Sequence, residues 1–140
     1  MKKKIILSAA FIVSLLPMLA NQYGGLKGVQ EITGLINLLN PIGIVSAVLF
    51  FIGVLVPFKD KSNNTTLGGL GAMGMVTSEI YKFLTWHVQT ITGEISLRHS
   101  MQLAFPAFYI GLAVSFAMVI AYFVIEENVT LNHPATVTEN

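Results

Sequence analysis

Three apolar runs, each interrupted by short polar stretches, set the pattern of this chain. Residues 5–20, 41–58 and 103–125 are almost wholly apolar, and a fourth stretch, 67–87, is apolar but rich in glycine. A fully apolar run of about 20 residues spans a bilayer as a helix. The run at 103–125 has that length without a charge. The run at 41–58 reaches only about 25 Å at ~1.5 Å per residue, so its helix is expected to borrow turns from Leu35 onward, and Asn40-Pro41 is expected to break or kink the helix. The pattern predicts an all-α integral membrane protein, a compact bundle of four transmembrane helices over residues 5–20, 35–58, 67–87 and 103–125. These spans form one membrane domain, 1–125, followed by a polar cytoplasmic tail, 126–140.

The stretch 67–87 is the informative one. Gly68, Ala72, Met75, Glu79, Lys82 and Trp86 follow one another at steps of four and three, which places them on one helical stripe. Its first half is small, so a neighbouring helix can come close. Its second half carries Glu79 and Lys82. An ionised residue at mid-span costs about 2.5–3.5 kcal/mol, whereas Leu67, Leu70, Val76, Ile80, Phe83 and Leu84 together return roughly 2–4 kcal/mol. The span is therefore expected to depend on its neighbours, and Glu79 with Lys82, three residues apart, is expected to form an intramembrane pair, or else Glu79 is neutral and Lys82 reaches outward. On the last span, Ala113, Ala117 and Ala121 repeat every four residues beside Gly111 and Ser115, and this face is expected to pack on another helix.

The remaining segments read as connections. Residues 1–20 carry Lys2, Lys3 and Lys4 ahead of an apolar run, as in a signal anchor or a cleaved signal peptide. Between 21 and 40, Tyr23-Gly24-Gly25 marks a turn, and Val29, Ile32, Ile36 and Leu39 recur at helical spacing, predicting an interfacial helix. Residues 59–66 form a polar loop. Lysine bias then places Lys2, Lys3, Lys4, Lys59 and Lys61 inside, with both termini cytoplasmic, in the cytoplasmic membrane. A three-span rival, in which 67–87 does not cross, would put Lys82 and Arg98 inside as well.

Composition narrows the function. Hydrophobic residues make up 54% and charged ones only 11%, against about 25% charged in soluble domains. A net charge of +1 with no basic stripe argues against nucleic-acid binding. Cysteine is absent, which removes disulfides, thiolate metal sites and cysteine catalysis. No nucleophile elbow or phosphate loop is present, and no catalytic residue, cofactor or metal is expected. His87, Glu94 and His99 lie near one another in sequence as a conceivable outer-face ligand set, but at no metal-motif spacing. The expected function is a non-enzymatic interaction, accessory or immunity-type subunit working through helix packing, its partners the lipid bilayer and another membrane protein or a second copy of itself. The alternative is a small oligomeric proton- or cation-coupled transporter using Glu79.

Overall fold

The computed structural model describes residues 2–131 apart from residue 26, and only the backbone of Thr90 and of residues 127–131. Among the described residues there are six α-helices: α1 (Lys2–Ser14), α2 (Leu35–Leu39), α3 (Pro41–Leu55), α4 (Lys61–Thr85), α5 (Leu97–Gln102) and α6 (Pro106–Leu131). Two short strands, β1 (Asn21–Tyr23) and β2 (Ile32–Thr33), pair antiparallel. α1 packs on α3 and α6, and α4 packs on α3 and α6, so the four long helices form a ring of alternating direction. One end of the ring gathers the start of α1, the α3–α4 turn and the end of α6, and is called here the lysine end. The other gathers the strand pair, α2 and α5, and is called the hairpin end.

Local chemistry sets the helix boundaries. Pro41 opens α3, where its missing N–H costs nothing, and the Asn40 side chain accepts from the Ile42 and Gly43 amides. The chain therefore breaks at Asn40 into α2 and α3, rather than running as one kinked span over 35–58. Asp60 caps α4 through the Ser62 amide at 2.9 Å. Asn64 donates to the carbonyls of Gly53 and Val56 at 2.7 and 2.6 Å, closing the C-terminal turn of α3. With both caps in place the helix starts at Lys61, so most of the polar loop expected at 59–66 is helical. α4 stops at Thr85, two residues before the expected limit, and a π-helical turn, Val88–Thr92, follows.

The interfacial helix expected between 21 and 40 is the largest departure from the sequence reading. β1 and β2 occupy that stretch instead, and only Leu35–Leu39 is helical. Gly24, Gly25 and Gly28 all have positive φ, a backbone that turns the chain and that other residues rarely adopt. Tyr23 also bridges Ala104 ahead of α6, which fastens the pair to the bundle. At the far end α6 continues to Leu131, so the tail expected from residue 126 begins as helix, and its remainder, 132–140, lies outside the described residues.

Two apolar clusters fill the ring. Leu7, Phe11, Phe50, Val54, Ala72, Met75, Met118 and Tyr122 pack in the lysine-end half, with Phe11 and Phe50 stacked at 4.0 Å. Tyr23, Phe83 and Phe108 pack in the hairpin-end half, with Phe83 and Phe108 stacked at 4.5 Å. The α3–α4 seam is held by contact between backbones. A Cβ on Gly71 would strike the Phe50 backbone, and one on Gly53 would strike Gly68. Among the described residues one helix, Pro106–Glu126, is both long and apolar enough to cross a membrane, with mean hydropathy 2.3.

Candidate functional site

Between the two apolar clusters lies a layer of buried polar side chains. Along α4 it falls between Met75 and Phe83, at Ser78 and Glu79; along α6 it falls between Phe108 and Met118, at Ser115. The strand pair and α2 add Gln22, Tyr23, Asn37 and Asn40, and all seven are buried.

Hydrogen bonds tie most of this layer together. Tyr23 donates to Asn37 Oδ1 at 2.8 Å, and Asn37 Nδ2 donates to Gln22 Oε1 at 2.8 Å. Gln22 Nε2 passes on to the Pro17 carbonyl at 3.2 Å. Asn40 Nδ2 reaches Ser78 Oγ at 2.6 Å, and Ser78 in turn donates to the Asn37 carbonyl at 2.5 Å. That bond satisfies a carbonyl at the α2–α3 break which the helix itself leaves open. The Tyr23 phenol is pushed well above its ordinary value, chiefly by burial; the Asn37 bond opposes this and the nearby Glu79 charge adds to it.

Glu79 stands at one edge of the layer. Its side chain is fully buried, Oε1 accepts from Ser115 Oγ at 2.5 Å, and Oε2 has no protein donor. The expected pair with Lys82 is not formed. Lys82 Nζ lies instead 5.8 Å from the centroid of the Tyr81 ring, on the half-exposed flank of α4. One turn from the helix end, the long lysine stem carries its charge toward the surface, whereas the shorter glutamate stays under α6. A buried carboxyl with one open oxygen and no adjacent cation has the chemistry to hold a proton, or to accept a donor from a water or a small ligand.

The other residues singled out from the sequence fall in different places. Gly68 and Ala72 are buried, Gly68 under the Tyr122 ring. Gly111 is buried too, but against Gln22 and Pro17 from the segment after α1. The alanine face is corrected: Ala113 and Ala117 point outward and Ala121 is half-buried, because Gly111, Ser115, Met118 and Tyr122 form the inward stripe of α6. His87, Glu94 and His99 do not converge as a ligand set. The buried His87 has Nδ1 on Thr92 Oγ1 at 2.7 Å and Nε2 on Ser100 Oγ at 2.9 Å, so both ring nitrogens are engaged, while His99 and Glu94 sit 4.0 Å apart. Among the described residues no three His, Asp or Glu side chains are grouped to hold a metal. Burial, and secondarily the charge of His99, holds the His87 ring below its ordinary value.

Gln22, Asn37, Asn40, Ser78 and Ser115 were not foreseen as members of a site. The available signal was two asparagines, Asn37 and Asn40, within an otherwise apolar stretch, where each amide has to find a partner. No protein-family model, curated protein or solved structure matches this chain.

Proposed function

We propose that the chain is an integral protein of the cytoplasmic membrane that crosses it four times and acts as a non-enzymatic interaction or accessory subunit. The observation that carries this reading is an inverted distribution of polarity. Ile6, Ile12, Val48, Leu70, Ile110 and Ile120 face outward on the four long helices, while Asn37, Asn40, Glu79 and Ser115 are buried inside. In water a fold of this size places charged and amide groups outside; in lipid the outward side chains are apolar and the polar ones need internal partners.

Lengths bear on this reading. α4 and α6 measure about 37 and 39 Å, enough for a hydrocarbon core of ~30 Å. α1 with the 3₁₀ turn after it (Leu16–Leu19) measures about 28 Å, and α3, separated from α2 by the break at Asn40, about 22 Å, so α3 requires a locally thinned bilayer. The crossing part of α4 ends by Thr85, which leaves His87 in the cap beyond it. Because the glycines of the α3–α4 seam are used within the bundle, the small surface left for a partner helix is Ala113 with Ala117 on α6.

Fusions test the topology. A reporter active only outside the membrane gives no signal at Asn140, whereas an epitope inserted after Gly28 is reached from outside; Gly28 is exposed, and a Cβ there would meet nothing within 4 Å. A strongly active C-terminal reporter rejects four spans in favour of three. Co-purification in mild detergent tests the role: a chain that elutes alone, with no second copy and no partner, rejects the interaction reading.

A second reading, a proton- or cation-coupled transporter, is favoured by one observation, the open Oε2 of Glu79 without Lys82 beside it. It requires Glu79 to be modified by an apolar carbodiimide, a reagent for protonated buried carboxyls. It also requires a Glu79→Gln variant to lose dye-reported ion flux in liposomes. Flux unchanged by that substitution rejects it.

A further inference from the structure

At the lysine end, away from the Glu79 layer, a cavity of about 700 Å³ opens between the start of α1 and the α3–α4 turn. Among the described residues its wall carries three lysines, Lys3, Lys4 and Lys61, against one carboxylate, Glu126, and its inner part is lined by Leu7 and Val54. Lys3 is bound to Glu126 at 2.7 Å. Lys4 donates to the Leu55 carbonyl at 2.8 Å, which uses one of its three N–H groups. Lys61 is exposed on the first turn of α4, and no ion pair to its ammonium is found among the described residues. The cavity thus presents two cations with unused donors above an apolar floor.

We propose that this cavity binds one anionic phospholipid, its phosphate held by Lys4 and Lys61 and the upper part of an acyl chain lying against Leu7 and Val54. Charge complementarity selects an anion. The apolar floor and a volume far beyond what a bare phosphate needs select an amphiphile over a free ion. The four-span reading supplies the location: helix ends of that length bring the cavity to headgroup depth, where lysines meet anionic lipid. The lipid ties the start of α1 to the α3–α4 turn, a junction made among the described residues by the Lys4–Leu55 bond and the packing of Leu7.

The full chain, extracted in mild detergent, is exposed to phosphatidylglycerol and phosphatidylcholine of identical acyl chains, and bound lipid is counted by native mass spectrometry. The expected result is one phosphatidylglycerol retained at least tenfold more tightly than phosphatidylcholine. Lys61→Gln weakens it about fivefold, as one lysine near an anionic surface does, and Lys4→Gln with Lys61→Gln weakens it further. Lys27→Gln, at the hairpin end, changes nothing. Equal retention of the two lipids overturns the proposal, as does indifference to Lys61→Gln, whose exposed side chain leaves the fold intact. Binding of inorganic phosphate alone at millimolar concentration, with displacement of the lipid, overturns the lipid in favour of free phosphate. Retention in membranes washed with alkaline carbonate is scored separately. Loss from the membrane rejects the spans, whereas a chain that stays in the bilayer without lipid preference rejects only this site.

Discussion

The two halves of the bundle are held together by different physics, although α4 runs through both. In the lysine-end half, α3 and α4 touch backbone to backbone at Gly53–Gly68 and Gly71–Phe50, and rings stack across α1 and α3. That contact is mostly shape; the polar side chains beside it bond to backbone, Asn64 to the Gly53 and Val56 carbonyls and Tyr122 to those of Asn64 and Thr65. In the hairpin-end half, the chain is joined by directional bonds from Asn37, Asn40, Ser78 and Ser115, and a carboxyl is buried among them. Close packing resists an added atom, whereas in a polar layer each missing partner carries a desolvation cost, and the open Oε2 of Glu79 is where the layer bears one. The chemically active group of the molecule lies on the side held by partners.

The sharpest way to break that contrast is to add the same atoms at two places. Gly71→Leu forces a side chain into the Phe50 backbone, and α3 has to move as a body. The expected loss is about 3 kcal/mol or more, enough that little folded protein survives extraction. Ala117→Leu adds a side chain of the same kind on the outward face of α6 and is expected to change detergent stability by less than ~0.5 kcal/mol. Thermal melting of the two variants in one detergent measures both. An Ala117→Leu variant that melts normally yet no longer co-purifies with a partner or a second copy is the outcome the docking face requires, whereas one as damaged as Gly71→Leu would mean that this face packs inside the bundle.

How much of this was legible in the sequence differs between the halves in the same way. Small residues at steps of three and four announce close approach, so Gly68 and Ala72 were readable as a packing stripe. Their partner across the seam was not, because Gly53 has no small residue three or four positions away, and the small pair in that run is Gly43 with Ala47. Spacing also misplaced the α6 face: alanines at 113, 117 and 121 and the inward residues 111, 115, 118 and 122 share the same helical period, and periodicity does not say which stripe points in. Glu79 was conspicuous as a charge in an apolar stretch. Its partner was misassigned because a three-residue separation permits a Lys82 contact without requiring it, and the serine that binds Glu79 lies 36 positions away. The strand pair was hidden because Val29, Ile32, Ile36 and Leu39 fit a helix, while the glycines that turn the backbone at 24, 25 and 28 act through dihedrals that carry no period.

An intermediate effect sharpens the comparison at Glu79. Ser115→Ala removes the one donor to a carboxyl whose other oxygen is already open, and the expected cost is about 1–3 kcal/mol. In a Glu79→Leu background the same substitution strands nothing and is expected to cost close to zero, so the two positions are strongly coupled. Lys82→Met touches neither and is expected to add to Glu79→Leu within ~0.5 kcal/mol. Melting temperatures or denaturation midpoints of the two double-mutant cycles decide it. Coupling between Glu79 and Lys82 as large as that with Ser115 would restore the ion pair and reject the arrangement described above.

The smallest effect separates the halves by pH. His87 lies at the hairpin end, its ring held below the ordinary value of 6.5 by burial first and by the charge of His99 second. The folded ring thus takes up a proton less readily than the unfolded one. Its contribution to stability is full above pH about 6.5 and is lost as pH falls through that value toward the depressed folded one. The slope from one such group cannot exceed about 1.4 kcal/mol per pH unit. The neutral ring donates to one of the Thr92 and Ser100 hydroxyls and accepts from the other, whereas the charged ring donates to both; a hydroxyl can turn to serve either role, so the penalty comes from charging a buried group beside His99 rather than from a broken bond. The single tryptophan, Trp86, has its ring 5.9 Å from that of His87 and reports on this end alone. Tryptophan-detected melting between pH 8 and pH 5 is expected to shift downward in the native chain and less in His87→Gln, with His99→Gln intermediate. An identical slope in all three proteins would exclude His87 as the acid-sensitive group.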